Sequence, residues 1–153
     1  MFDNMNPEWR DRWVTALRSG DYNQGAGSLM GAENTFCCLG VLCNIINPDN
    51  WDSNEPKASY AYEYDEDHPE ANWDRDVSTA PEDHSEYWDE THSETELPGS
   101  LSAYLNIDND DEQTLIAFND GVNGVRNPLG VHLTFNEIAD IIEFGVLPEK
   151  AIA

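Results

Sequence analysis

The chain has 153 residues, 31 of them acidic and 7 basic, for a formal net charge of -24. Its hydrophobic fraction of 39% is enough for one domain with a sizeable core. No apolar run approaches the ~18 residues of a membrane span, and the polar, Trp-containing first residues do not read as a secretory leader. Composition therefore excludes a membrane-spanning helix, a collagen-like fibre and a basic nucleic-acid binder.

In chain order, the first predicted helix begins after Asn6. Asn6 is a capping residue, Pro7 suits the first helical position, and Glu8 meets the positive end of the helix dipole. Trp9, Trp13, Ala16 and Leu17 follow at helical spacing, and Gly20 ends the helix. A glycine-rich loop with Gly25, Gly27 and Gly31 comes next. A second helix is expected from Phe36 to about Asn47, apolar nearly all round and hence central. Gly40 lowers its intrinsic stability, which points to a neighbouring backbone packed closely there. Pro48 stops it.

Residues 52–96 differ from the rest. They hold 16 acids and only two bases, Lys57 and Arg75, so more than half of the net charge lies in 45 residues. The segment has no Leu, Ile, Met, Phe or Cys, and Val77 is its single branched aliphatic residue. Such composition favours disorder, but Tyr60, Tyr62, Tyr64, Trp73, Tyr87 and Trp88 offer large rings to bury. The reading is an acidic surface insertion pinned by its aromatics. Tyr60, Tyr62 and Tyr64 alternate as on a short strand. Pro81 to Glu94 has helical spacing, although Glu82, Glu86, Glu90 and Glu94 repel one another four residues apart.

The C-terminal third returns to a globular pattern. Pro98 opens a short helix through Leu101, Tyr104 and Leu105. Asp110 or Asp111 starts another through Leu115, Ile116 and Phe118. Asn119-Asp120-Gly121 and Asn123-Gly124 are turn signals. Thr134 with Glu137 forms a capping box, the following helix buries Phe135, Ile138, Ala139, Ile141 and Ile142, and Gly145 closes it. The predicted fold is mainly α with minor β. It is one domain over 1–153 with about four to five helices, long loops and the 52–96 insertion. Leu39, Leu42, Leu115, Phe118, Phe135 and Ile138 are the predicted core.

The stretches Trp13-Val14-Thr15-Ala16-Leu17-Arg18-Ser19-Gly20, Phe36-Cys37-Cys38-Leu39-Gly40-Val41-Leu42-Cys43, Phe118-Asn119-Asp120-Gly121 and Phe135-Asn136-Glu137-Ile138-Ala139-Asp140-Ile141-Ile142-Glu143 occur in this order, with Leu97-Pro98 before a short helix. Together they resemble a group of small uncharacterised proteins encoded by tailed phages and prophages. The resemblance covers both ends of the chain. It implies a viral accessory protein acting in the host cytoplasm and implies no activity. The acidic middle departs from the pattern.

Individual motifs favour structure over chemistry. Cys37, Cys38 and Cys43 contain no Cys-x-x-Cys pair, and His68, His84, His92 and His132 are distant in sequence. A zinc site is therefore not indicated, and reduced core cysteines are expected in place of a nucleophile. Asp108, Asp110 and Glu112 begin like a calcium loop, but Gln113 stands where glycine belongs and Asn119 where glutamate belongs, so a solvated turn and helix start is the reading. His84 and His92 sit among surface carboxylates without the burial that catalytic pairs need. Asn119, Asp120 and Gly121 form a polar knot, read as a structural turn, with a ligand-binding loop as its alternative. No catalytic residue, cofactor or metal is predicted.

The charge is what exceeds expectation. Duplex DNA carries one negative charge per ~1.7 Å of axis, and rows of carboxylates can occupy a DNA-binding groove in its place. The principal reading is a non-enzymatic viral binding protein that imitates DNA and blocks a basic host DNA-binding or defence protein, with no direct nucleic-acid or membrane contact. Its acidic face would comprise Glu63, Asp65, Asp67, Glu70, Asp74, Glu82, Glu86, Asp89, Glu90 and Glu94, with Tyr87 and Trp88 pinning it from below. Three alternatives remain open: a surface adapted to salt, a small-molecule-sequestering protein with a pocket between the Cys-rich helix and the Asn119–Phe135 loop, and a structural virion component.

Overall fold

The computed structural model describes residues 2–54, 57–61, 92–93 and 95–152. Among these are five α-helices: α1 (Pro7–Arg18), α2 (Cys38–Ile46), α3 (Gly99–Leu105), α4 (Asn109–Asp120) and α5 (Phe135–Phe144). The fold is mainly α. A two-residue parallel pair, β1 (Asn23–Gln24) with β2 (Thr35–Phe36), precedes α2. A three-stranded antiparallel sheet follows it, built from β3 (Trp51–Asn54), β4 (Lys57–Ala61) and β5 (His92–Ser93).

Local chemistry accounts for the helix ends. The Asn6 side chain accepts from the amides of Glu8 and Trp9 at the start of α1. Thr134 and Glu137 form the reciprocal capping box of α5, and Gly145 closes that helix in the left-handed conformation. α4 starts at Asn109, one residue before the earlier of the two expected starts, because Asp108 caps it by accepting from the Asp110 amide.

The helix α2 is shorter than Phe36 to Asn47. Phe36 belongs to β2, and Cys37 is the cap, its Sγ accepting from the Gly40 amide at 3.4 Å. A cysteine cap is outside the usual set of capping residues, so the polar signal that marks a helix start is missing here. A Cβ on Gly40 would overlap the Leu29 carbonyl oxygen, so the glycine is required by the closeness of the 28–30 backbone.

The core is continuous across both ends of the chain. Leu39, Leu42, Leu115, Phe118, Phe135 and Ile138 are all buried in one cluster, with Trp13, Leu17, Leu29, Leu101 and Leu133. α1 packs on α5 and on α2, and α4 packs on α2 and α5. Arg18 fastens the α1–α5 contact by donating to Asp140 and Glu143 while lying over the Phe144 ring.

Candidate functional site

The acidic segment is attached through the antiparallel sheet. β3 pairs with β4 in the register Trp51–Tyr60, and β4 pairs with β5 through Tyr60–Ser93 and Ala61–His92. Residues 62–91 therefore leave and re-enter the fold at paired positions. They contain 12 acids and one arginine, a net -11 of the -24.

The sheet is bound to the core by rings. Tyr22 meets Phe36 with centroids 5.2 Å apart, Phe36 meets Trp51 at 6.1 Å, and Trp51 meets Tyr60 at 4.9 Å, all edge-on. Asn44 of α2 crosses this row: its amide donates to the Tyr22 hydroxyl at 2.9 Å and its carbonyl accepts from the Trp51 indole at 3.1 Å. Tyr60 donates to the Asn47 carbonyl and is fully buried. The insertion is thus not confined to the surface, because its strand β4 supplies a core residue. Val77 offers almost no aliphatic area within 52–96, so burial falls to a ring, as the aromatic content suggests.

The ten carboxylates of the expected acidic face, Glu63, Asp65, Asp67, Glu70, Asp74, Glu82, Glu86, Asp89, Glu90 and Glu94, lie outside the described residues. So do Tyr62, Tyr64, Tyr87 and Trp88. The expected helix from Pro81 to Glu94 is corrected at its end, where His92 and Ser93 are strand; backbone pairing with β4 prevails there over a helix whose four-apart glutamates repel.

The Asn119-Asp120-Gly121 knot is the last turn of α4 and its cap, not a loop between helices. Asn119 is completely buried. Its carbonyl accepts from the Cys38 amide at 3.2 Å and from Gln24 Nε2 at 3.0 Å, and its amide donates to the Gly25 carbonyl at 2.8 Å and to Asp120. One side chain thereby closes the start of α2, holds the glycine-rich loop and, through Gln24, reaches the Leu133 carbonyl. Asn127 does similar work in the following loop, where it bonds the carbonyls of Ala117 and Val131 and the Val131 amide. Neither role is visible in sequence, because a buried asparagine looks like a turn residue until its partners are known.

The three cysteines are free thiols in the core. Burial pushes the Cys37 thiol up to about 12, against the pull of the Gly40 and Leu39 amides. Burial also raises Cys38 and Cys43 well above the ordinary thiol range. Thiolate chemistry is disfavoured at all three. Among the described residues, no group of three or more His, Cys, Asp or Glu is placed to hold a metal ion, and no helix is long and apolar enough to cross a membrane.

The Asp108–Glu112 stretch is only partly the solvated helix start that was expected. Asp108 caps α4 and exposed Asp110 pairs with Arg126. Glu112 instead points inward, 4% exposed, and accepts from the Leu97 amide at 2.7 Å. The helical period turns it toward α2 and the returning chain, a placement that its acidic neighbours conceal in sequence.

Two open grooves flank the helices. One of about 420 Å³ lies between Phe2–Asn4 and the Ser102–Asp111 region. The other, about 520 Å³, is lined by Asp11, Thr15, Ala16, Asp21, Tyr22 and Ile45 among others. At the junction of α2 with the Asn119–Phe135 loop, Gln24 donates to the Asn119 and Leu133 carbonyls and Asn119 accepts from the Cys38 amide.

Residues 5–145 match the family model of a domain of unknown function, DUF8296. The chain belongs to the DUF8296 family. The matched span runs from just before the Asn6 cap of α1 to the Gly145 cap of α5, so the DUF8296 domain takes in all five helices and the acidic segment between them. No curated protein and no solved structure matches the chain.

Proposed function

We propose that this DUF8296 protein is a non-enzymatic, virus-encoded binding protein that presents a dense row of carboxylates to a basic host protein, in the manner of a DNA mimic. The observation that carries the reading is the separation of charge from core. Residues 62–91 hold 12 acids and one arginine, and both ends of that stretch attach to one three-stranded sheet. A partner selected by this arrangement has a groove of lysines and arginines spaced for phosphates. The resemblance to phage proteins supports a host DNA-binding or defence protein as the class of partner. Host cytoplasm is the compartment this implies.

The test is a comparison of the full chain with a variant in which an Asn-Gly turn joins Ala61 directly to His92. Each is used to capture proteins from a bacterial lysate at low and moderate salt. The full chain should retain basic DNA-binding proteins, which duplex DNA displaces and salt releases, since exposed charges are screened beyond ~8–10 Å. The joined variant should retain none of them. Equal recovery by both, or retention that duplex DNA does not compete, would overturn the reading.

A further inference from the structure

Among the described residues, no cation is paired with the Glu112 carboxyl. It is 4% exposed, its Oε1 accepts from the Leu97 amide at 2.7 Å, and its Oε2 lies 3.5 Å from the Ser102 hydroxyl. Those two contacts belong to the chain as it returns from the acidic segment and to α3, so one α4 side chain holds both. Among the described residues, the ionisable groups that act on it are the Glu96 carboxylate, next to Leu97, and the buried Cys43 thiol of α2. Glu96 is itself engaged by Gln113 Nε2 at 2.9 Å. Asp110 and Asp111 of α4 and its cap residue Asp108 lie within one turn of Glu112, and exposed Asp110 holds Arg126.

We propose that Glu112 is a pH-sensitive latch: protonated, it holds Leu97 and α3 on the core, and ionised, it loosens them. A protonated carboxyl can donate to the Ser102 hydroxyl while its carbonyl oxygen still accepts from Leu97. An ionised one places a second negative charge beside Glu96 in a site that excludes water, which is costly unless paired.

The sign follows from linkage. Burial, reinforced by Glu96 and opposed by the Leu97 amide and Ser102, raises Glu112 from 4.5 to about 7. When residues 95–107 lift away, the carboxyl meets water and returns to its ordinary value. Between those two values the closed form binds more protons than the open form, so opening becomes easier as pH rises and levels off above about 7.

Hydrogen exchange, corrected for intrinsic rates, tests this on the full chain from pH 5 to pH 8. Protection of peptides covering 95–107 should fall about tenfold or more, and that of α5 should fall less. Glu112→Gln retains an acceptor for Leu97 and a donor for Ser102, so it should flatten the 95–107 profile alone. An unchanged profile in that variant, or an equal fall in every helix, overturns the latch. Should the variant not fold, carboxyl-detected NMR of the unaltered chain decides. A Glu112 midpoint near 7 that coincides with the loss of protection supports it, and a midpoint near 4.5 overturns it.

Discussion

At the scale of single residues, close backbone packing and buried hydrogen bonds set the largest costs. Gly40→Ala illustrates two opposed effects. Alanine favours a helix over glycine by about 1 kcal/mol, but here its Cβ would overlap the Leu29 carbonyl oxygen. Overpacking of this kind costs about 3 kcal/mol, so chemical denaturation should show net destabilisation by about 2 kcal/mol or more. Asn119→Ala leaves the Cys38 amide and the Gly25 carbonyl buried without their partner, and should cost about 2–4 kcal/mol in the same measurement. The thiols give a further check. With Cys37 pushed up to about 12 by burial, alkylation of the native chain at pH 8 should be far slower than that of a free thiol, and denaturant should restore ordinary rates. Rapid native labelling at Cys37 would contradict the packing.

At the scale of elements, the starts of α1 and α5 were legible from their polar caps and that of α3 from Pro98, whereas that of α2 was not. Asn6-Pro7-Glu8 marks α1, and Thr134 with Glu137 marks α5, because each supplies partners for its own amides within three residues. The start of α2 was displaced by two residues because a thiol stands at its cap. The six predicted core residues follow from the concentration of aliphatics at the two ends of the chain and are all buried. What local pattern cannot carry is long-range: the pairing of Ala61 with His92, the ring row from Tyr22 to Tyr60, and the inward turn of Glu112. Trp51→Ala tests the ring row. It removes contacts to both Phe36 and Tyr60 and the bond to Asn44, and should cost about 3 kcal/mol. A cost below 1 kcal/mol would mean that the sheet is held elsewhere.

At the scale of the whole molecule, a charge of -24 on 153 residues opposes its own compaction. Joining Ala61 to His92 removes the -11 of residues 62–91 and leaves -13. Two stabilising effects should appear in thermal melts, and salt separates them. Shortening a 30-residue excursion to a two-residue turn spans about four halvings, each worth about 0.6 kcal/mol of closure entropy, and that gain is independent of salt. Relief of repulsion adds to it at low ionic strength and fades as screening grows. The melting temperature of the full chain should therefore rise with salt more steeply than that of the joined variant. Parallel curves would show that the acidic segment exerts no repulsion on the core.

The pairing of Ala61 with His92 also makes the fold a socket. A strand ladder fixes both rims of the opening about one strand spacing apart, so chain threaded between them leaves the spacing of the five helices untouched. Doubling the inserted length adds only about 0.6 kcal/mol of closure cost. The amount and kind of sequence displayed is thereby uncoupled from the stability of the body that displays it. An unrelated peptide, even a basic one, grafted between 61 and 92 should be carried with the helical circular dichroism of the body preserved.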